Sequence, residues 1–219
     1  MSEQPGIRAV IFDMDGVLTD SEPLICAAAM AMFLEFGLVV QPEDFHPFVG
    51  TGENRYLGGV AEKYGFSLDI PAAKKRTYEI YLEFVPDQLR AFPGARELVL
   101  GCRAASLRTA VASSADLIKI EANLHKIALP PATWDAVVCA EQVIHKKPAP
   151  DIFLAAASAL GCAPEECVVI EDAVNGVEAA LAAGMRCVAV AQTFPGDKLS
   201  AAHLVRPAMT DVRLADLLG

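Results

Sequence analysis

The sequence predicts an α/β fold in which a Rossmann-like parallel sheet is covered by helices and carries an inserted helical domain. Three observations support this prediction. Apolar strand-like runs alternate with helical segments, several helices end at a glycine, and residues 22–90 contain no convincing buried strand. The 219 residues, 53% of them hydrophobic, suffice for one large domain with a smaller insertion. We therefore expect an α/β core domain formed by residues 1–21 and 91–219, and a helical cap domain formed by residues 22–90.

The first predicted element is a strand over residues 8–13, because Val10, Ile11 and Phe12 are β-branched or aromatic and Gly16 marks a turn. The insertion follows with apolar residues at helical spacing. Its predicted helices are one that contains Leu24 to Leu34 and ends at Gly37, and two near 53–64 and 71–84. Beyond it, strands and helices alternate. The predicted strands are 107–112, 135–139, 167–171 and 186–191, and the predicted helices are 94–105, 115–128, 150–160 and 174–183.

Charge and cysteine content exclude several classes of protein. A formal net charge of −10, with no basic patch, argues against a nucleic-acid partner or an anionic membrane surface. The six cysteines lie mostly in apolar stretches and form no CxxC pair, which favours free thiols in a reducing compartment. No apolar run reaches membrane-spanning length, so we expect a soluble chain without membrane insertion.

Polar residues stand at four places after predicted strands. They are Asp13-Met14-Asp15-Gly16, Ser113-Ser114, Lys147 and Glu171-Asp172. Ligands of an open α/β sheet bind beyond the carboxyl ends of its strands, so we expect these residues to share one site. Crowded carboxylates repel one another unless a cation lies among them, and their hard oxygen atoms favour Mg²⁺.

A magnesium ion beside a lysine and a hydroxyl suits a phosphoryl group, whose transfer depends on positioning and charge neutralisation. Asp13 can attack phosphorus and form an aspartyl-phosphate, while Asp15 protonates the leaving oxygen and later deprotonates water. The alternative is simple turn chemistry or a fragment of a calcium loop. Val17 and Leu18 argue against the calcium loop, because they follow where oxygen ligands would be needed.

Four motifs in order, DMDGVLTD, VASS, KPAPDIF and VIEDAVNGVEAA, resemble those of the haloacid dehalogenase (HAD) superfamily, in the branch containing β-phosphoglucomutase and many small-metabolite phosphatases. The resemblance covers nearly the whole chain and implies an HAD core with a cap, phosphoric monoester hydrolysis and Mg²⁺ as cofactor. The residues it implies are the nucleophile Asp13, the general acid/base Asp15, the phosphate ligands Ser113 and Lys147, and the metal ligands Asp13, Asp15 through its backbone carbonyl, and Asp172 supported by Glu171. Ser114 either contacts phosphate beside Ser113 or caps the following helix.

Longer stretches, among them FVGTGENRYLGGVAEKYG and VASSADLIKIEANL, resemble a phosphatase-like module of a larger plant chloroplast protein. This resemblance implies the chloroplast stroma as location, with the cytoplasm as the alternative, and other modules of such a protein as partners. It leaves the substrate open.

The stretch GTGENRYLGG in the insertion could suggest a dinucleotide-binding loop, but Arg55 occupies the place of the third glycine and no strand plainly precedes it. We interpret the stretch as a substrate-contact loop. Glu53, Asn54 and Arg55 are its candidate specificity residues, and an exposed helix start is the alternative.

The leading hypothesis is a Mg²⁺-dependent phosphatase that acts on a small phosphorylated metabolite, such as a sugar phosphate, while the cap excludes water. A phosphomutase is the runner-up. Compared with β-phosphoglucomutase, Ile25 stands where a hinge histidine is expected, and Gly52-Glu53 lie near the place of an arginine that grips a distal phosphate. A third hypothesis is a regulatory or docking module with little physiological catalysis.

Overall fold

The computed structural model describes residues 6–219 and contains a six-stranded parallel sheet in the order β3-β2-β1-β4-β5-β6. The strands are β1 Ala9–Phe12, β2 Arg108–Ala112, β3 Ala136–Val138, β4 Cys167–Glu171, β5 Arg186–Val190 and β6 Leu204–Arg206. The central strands β1 and β4 are buried along their whole length. Their near-continuous apolar sequences fit a sheet covered on both faces, which confirms the predicted fold class.

The register of the sheet brings the polar strand ends to one edge. Phe12 of β1 pairs with Val111 of β2 and Ile170 of β4. The ladder extends one residue further, because the Asp13 amide donates to the Ile170 carbonyl (3.0 Å) and the Ser113 amide donates to the Val138 carbonyl (3.0 Å). Asp13 and Ser113 therefore leave the sheet side by side.

Five helices flank the sheet. They are α4 Ala95–Ala104, α5 Leu117–Lys126, α6 Asp151–Leu160, α7 Val174–Ala182 and α8 Leu214–Leu218. One apolar cluster contains Phe12 packed edge-on against Trp134, with ring centroids 5.6 Å apart. A second cluster, on the other face, contains Ile11 and Phe153. Burial on both faces makes the sheet a rigid platform for its carboxyl edge.

The insertion after β1 has an apolar core of its own. Its helices are α1 Glu22–Glu35, α2 Glu53–Lys63 and α3 Ile70–Gln88. Phe33, Phe45 and Tyr56 pack in series at its centre, with the last two ring centroids 4.8 Å apart. This apolar cluster lies almost entirely within residues 22–90, and the division into an α/β core domain and a helical cap domain stays a prediction.

The predicted strands and helices agree with the structure apart from their ends, one short strand, one short α-helix and several three-residue 3₁₀ turns. Strand β6 and helix α8 are missing from the sequence-based prediction, because each is too short to show a period: three residues in one case and five in the other. Helix α3 continues to Gln88, past the predicted end at 84, and carries Pro86 in its last turn. All six cysteines are free thiols. None of the helices in residues 6–219 combines the length and apolar character needed to cross a membrane.

Candidate active site

Lys147 forms ion pairs with two of the predicted acidic residues at the carboxyl edge of the sheet. Its ammonium lies 2.5 Å from Asp13 Oδ1 and also donates to Glu171 Oε1. The ammonium also sits 4.9 Å from the centroid of the Phe153 ring. Burial opposes the charge of Lys147, but Asp13 and Glu171 outweigh it and raise the pKa of the ammonium. Lys147 is therefore a fixed positive charge beside Asp13.

Glu171 is held by the protein through both carboxylate oxygens. While Oε1 accepts from Lys147, Oε2 accepts from the amides of Asp172 (2.8 Å) and Ala173 (2.9 Å). A Cβ atom at Gly176 would overlap this carboxylate, so α7 approaches it closely only because position 176 is glycine. With these contacts Glu171 orients Lys147 and shapes the turn after β4. Its role as a direct metal ligand stays a prediction.

Asp172 reaches across to the loop after β1. Its carboxylate packs against Gly16, which has φ +81°, and a Cβ atom there would overlap it. Burial is the main cause that raises the pKa of Asp172, with further contributions from Glu171 and Asp13. Burial also raises the pKa of Asp13, to about 7, against the opposing charge of Lys147. The two buried carboxylates thus lie close enough for each to disfavour the charge of the other.

This donor set fits a divalent cation. Three carboxylates, those of Asp13, Glu171 and Asp172, face a single ammonium, so negative charge is in excess. Among residues 6–219, however, no three His, Cys, Asp or Glu side chains are grouped so that they alone could hold an ion. Magnesium commonly takes one or two carboxylates and completes its shell with water and substrate phosphate. Asp13 and Asp172, with the predicted backbone carbonyl of Asp15, suit such a site.

The two serines after β2 differ in their hydrogen bonds. Ser113 Oγ is buried and accepts from the Ala115 amide (3.1 Å), which leaves its hydroxyl proton for a ligand. Ser114 Oγ is buried without any hydrogen-bond partner in the described part of the chain. Neither serine caps a helix, since α5 begins at Leu117 with Asp116 as its N-cap residue. The unpaired Ser114 hydroxyl is what a ligand-contacting residue would show before its ligand binds.

Asp15 is held by a lysine that sequence reasoning missed. Lys119, in the first turn of α5, places its ammonium 3.0 Å from Asp15 Oδ1 and 3.5 Å from Glu53 Oε1 of the insertion. Ser21 also donates to Asp15 Oδ1. The only sequence signal for Lys119 is its position one turn after the serine pair, and lysines at such positions are usually solvated.

Glu22 is the second residue that sequence reasoning passed over. It opens α1 directly after the loop from β1, beside Asp15 and Lys119. Burial raises the pKa of Glu22 to about 7, opposed by the charge of Lys119. The sequence offers no signal that separates Glu22 from an ordinary acidic residue in the first turn of a helix.

Two adjoining cavities lie between the sheet edge and the insertion. The core cavity, about 40 Å³, is lined by Asp13, Ser113, Lys147, Glu171, Asp172 and Asn175 together with residues that both cavities share. The cap cavity, about 50 Å³, is lined by Ile25, Phe48, Glu53, Tyr56 and Lys119 together with the same shared residues. The shared residues are Asp15, Glu22, Gly50 and Ser114. The insertion is closed over the site, where the Asn175 side chain donates to the Gly50 carbonyl (3.0 Å).

The three candidate specificity residues of the insertion point to different places. Glu53 is buried and lines the cap cavity. Asn54 and Arg55 are exposed and line neither cavity, and Arg55 pairs with Glu62 (2.7 Å) on the same helix. The segment is the start of helix α2 rather than a loop, so residues three apart such as Glu53 and Tyr56 share the face towards the site while Asn54 and Arg55 lie on another face. Of these three candidates only Glu53 lines a cavity, and its specificity role stays a prediction.

Comparisons with known proteins agree with this geometry. A family model described as haloacid dehalogenase-like hydrolase matches residues 7–184. The chain is 49% identical to Protein SUPPRESSOR OF QUENCHING 1, chloroplastic, of Arabidopsis thaliana over 97% of its own length, but it spans only 21% of the length of that relative. It is also 30% identical to hexitol phosphatase B of Escherichia coli O157:H7 over the full length of both chains.

Among solved structures, CbbY of Rhodobacter sphaeroides is similar with a TM-score of 0.87 and 26% identity, over 96% of this chain and 99% of that one. One CbbY structure contains phosphate, and another, of a mutant, contains xylulose-(1,5)bisphosphate. The family match, the fold of the sheet and the relatives named as phosphatases all indicate the same family. The chain belongs to the haloacid dehalogenase-like hydrolase family and is a phosphoric monoester hydrolase.

Proposed function

We propose that the chain is a Mg²⁺-dependent phosphatase that hydrolyses a small phosphorylated carbohydrate through an aspartyl-phosphate on Asp13. The observation that supports this most directly is the convergence of Asp13, Lys147 and Asp172, from three distant parts of the sequence, on the core cavity. Relatives named hexitol phosphatase B and phosphorylated carbohydrates phosphatase support the substrate class.

In the first step the Asp13 carboxylate attacks phosphorus while the bond to the sugar oxygen breaks. Lys147 holds Asp13 in place and neutralises charge on the phosphoryl oxygens, to which the hydroxyls of Ser113 and Ser114 donate. Asp13 and Asp172 would hold Mg²⁺, which when bound would supply further charge neutralisation. Asp15, fixed by Ser21 and Lys119, gives its proton to the leaving oxygen.

In the second step Asp15 takes a proton from water, whose oxygen attacks phosphorus and releases Asp13 and phosphate. The closed insertion excludes bulk water, so the attacking water enters beside Asp15 after the alcohol has left. Asp15 therefore recovers the proton that it gave to the leaving oxygen, and Asp13 is released as a free carboxylate.

A panel of phosphorylated carbohydrates, assayed for phosphate release with and without Mg²⁺, tests this proposal. We expect turnover that requires Mg²⁺ and falls to background in Asp13→Asn. Arg55→Gln is the matched control, because Arg55 is exposed and lines neither cavity. Equal, background-level release by the native chain and Asp13→Asn on every substrate would contradict the proposal and favour a docking module.

A phosphomutase is separated from a phosphatase by incubation with β-glucose 1-phosphate and a bisphosphate primer. We expect phosphate release, because a mutase must hold a bisphosphate by both ends and the cap cavity presents Glu22 and Glu53. Isomer formation without phosphate release would favour the mutase.

The chloroplast location of the Arabidopsis relative favours the chloroplast for this chain and other modules of a larger protein as its neighbours. A fluorescent fusion expressed in plant cells tests the location, and fluorescence confined to the cytoplasm would contradict it.

A further inference from the structure

The cap cavity is acidic although it adjoins a site for a dianion. Asp15, Glu22 and Glu53 contribute three carboxylates to its lining, and Lys119 contributes the only ammonium among the described residues that line it. Burial of Glu53 raises the pKa of its carboxyl, as does nearby Asp15, while Lys119 opposes them. The part of a substrate that lies beyond the phosphoryl group therefore meets three carboxyl groups and a single ammonium in this lining.

Lys119 is already shared by two carboxylates, which leaves one of its three ammonium protons for a ligand. Its ammonium is shared by Asp15 (3.0 Å) and Glu53 (3.5 Å), and it lies 5.5 Å from the centroid of the Tyr81 ring. A distal phosphate or carboxylate that accepted this remaining proton would lie beside both carboxylates. Repulsion from the Glu53 carboxylate would oppose the binding of that group.

A neutral group with several hydroxyls meets the opposite situation. Each hydroxyl can donate to a carboxylate such as Glu22 or Glu53 and can accept from Lys119 or Ser114. Phe48 and Tyr56, which also line the cavity, offer apolar surface to the C–H groups of a carbon chain. A site that is built to bond hydroxyls rejects groups that leave its polar atoms unpaired or repelled.

We propose that Glu53 and Glu22 are specificity residues that restrict the enzyme to monophosphates with a neutral, polyhydroxyl leaving group and reject bisphosphates and carboxylate-bearing phosphates. This inference rests on the proposed phosphatase function. It sets the chain apart from a relative whose structure contains a bisphosphate.

The test compares kcat/KM, with Mg²⁺ present, for sorbitol 6-phosphate, xylulose 1,5-bisphosphate and 2-phosphoglycolate, using the full chain. Xylulose 1,5-bisphosphate and 2-phosphoglycolate carry an anionic group at each end. We expect their kcat/KM values to be at least about tenfold lower than that of sorbitol 6-phosphate, mainly because KM is higher. Glu53→Gln keeps the shape of the side chain but removes its charge, so it should raise kcat/KM for the bisphosphate relative to the hexitol phosphate by about tenfold. Glu22→Gln should act in the same direction and provides a second variant if Glu53→Gln folds poorly.

Glu62→Gln is the matched control, since it removes one charge from the exposed side of the same helix α2 and should leave the ratio unchanged. Equal kcat/KM for the hexitol phosphate and the bisphosphate in the native chain would overturn the inference. An unchanged ratio in both glutamine variants would also overturn it.

Binding to Asp13→Asn, measured by calorimetry, separates this inference from the proposed function because it requires no turnover. We expect sorbitol 6-phosphate to bind at least about tenfold more tightly than the bisphosphate, and Glu53→Gln in the same background to narrow that difference. If Asp13→Asn binds sorbitol 6-phosphate more tightly but the native chain turns over no substrate, the proposed phosphatase function is contradicted and the specificity inference is not. If the native chain is active but Asp13→Asn binds the two ligands equally, the specificity inference is contradicted and the phosphatase function is not.

Discussion

The core cavity and the cap cavity are each organised around a buried lysine shared by two carboxylates, but they draw those carboxylates from different parts of the fold. Lys147 pairs with Asp13 and Glu171, which both belong to the α/β core. Lys119 pairs with Asp15 of the core and Glu53 of the insertion. The first arrangement persists wherever the insertion lies, whereas the second is complete only when the insertion is closed.

This difference assigns the two lysines different tasks. Burial opposes the charge of both ammonium groups, and the paired carboxylates raise the pKa of both above that of free lysine. In the core cavity that fixed charge serves the phosphoryl group. In the cap cavity it links the position of Asp15 to closure over the rest of the substrate. Lys119 is therefore a positioning residue in our proposal, and Lys147 is a catalytic one.

Removing Lys147 should give the largest effect, because Lys147→Met leaves Asp13 and Glu171 buried without their cation. We expect phosphate release to fall to background and the free energy of unfolding to fall by about 3–5 kcal/mol, as for other broken buried ion pairs. Urea unfolding and a phosphate assay measure both quantities. Lys146→Met is the control, since Lys146 donates only to the Ala140 carbonyl. Activity within tenfold of native would remove Lys147 from the mechanism.

Removing Lys119 should affect turnover less and in a way that depends on the substrate. Lys119→Met releases Asp15, so we expect kcat for an alkyl phosphate to fall about 100-fold, the scale of general acid–base catalysis. The fall should be smaller for p-nitrophenyl phosphate, whose leaving group needs little protonation. Lys126→Met is the control, because Lys126 bridges α5 to the Pro86 carbonyl of the insertion away from both cavities. Equal losses on both substrates would contradict a positioning role for Lys119 that acts through proton transfer.

The same division separates what sequence reasoning could find from what it could not. Asp13, Ser113 and Asp172 stand directly after strands, and Lys147 lies in the loop between β3 and α6. All four belong to recognisable motifs, so topology and motif together predict that they meet. Glu22 and Lys119 lie in first turns of helices, where their residue types are common on any surface. The roles that we propose for them depend on how the insertion closes on the core, and no local pattern encodes that packing. Asn54 and Arg55 illustrate the converse, because they are polar and adjacent to Glu53 yet face away from the cavities.

Glycine substitutions should test the close approaches that shape the core cavity, with effects of intermediate size. Gly176→Ala would normally stabilise helix α7 by about 1 kcal/mol, but its Cβ atom would overlap the Glu171 carboxylate. We expect a net destabilisation of about 1–3 kcal/mol, together with reduced kcat through displacement of Lys147. Gly101→Ala in α4 is the matched control, because nothing lies within 4 Å of the added Cβ atom and the variant should be more stable. A Gly176→Ala variant that is more stable than the native chain and fully active would show that the close approach of α7 to the Glu171 carboxylate is not needed.

The smallest expected effect concerns the insertion away from both cavities and is visible only at low pH. Asp44 receives hydrogen bonds from Lys63, from Tyr64 (2.6 Å) and from the Gln41 amide (2.8 Å), and the first two are the main causes that lower its pKa to about 2. Because the folded state lowers this pKa from its usual value near 4, its contribution to stability is present above pH 4 and is lost as the pH falls towards 2. The contribution should be about 1 kcal/mol, since Lys63 is largely solvent-exposed. The difference in free energy of unfolding between the native chain and Asp44→Asn should therefore stay constant above pH 5 and shrink as the pH drops below 4. A difference that persists unchanged to pH 2 would show that the charge of Asp44 does not stabilise the insertion.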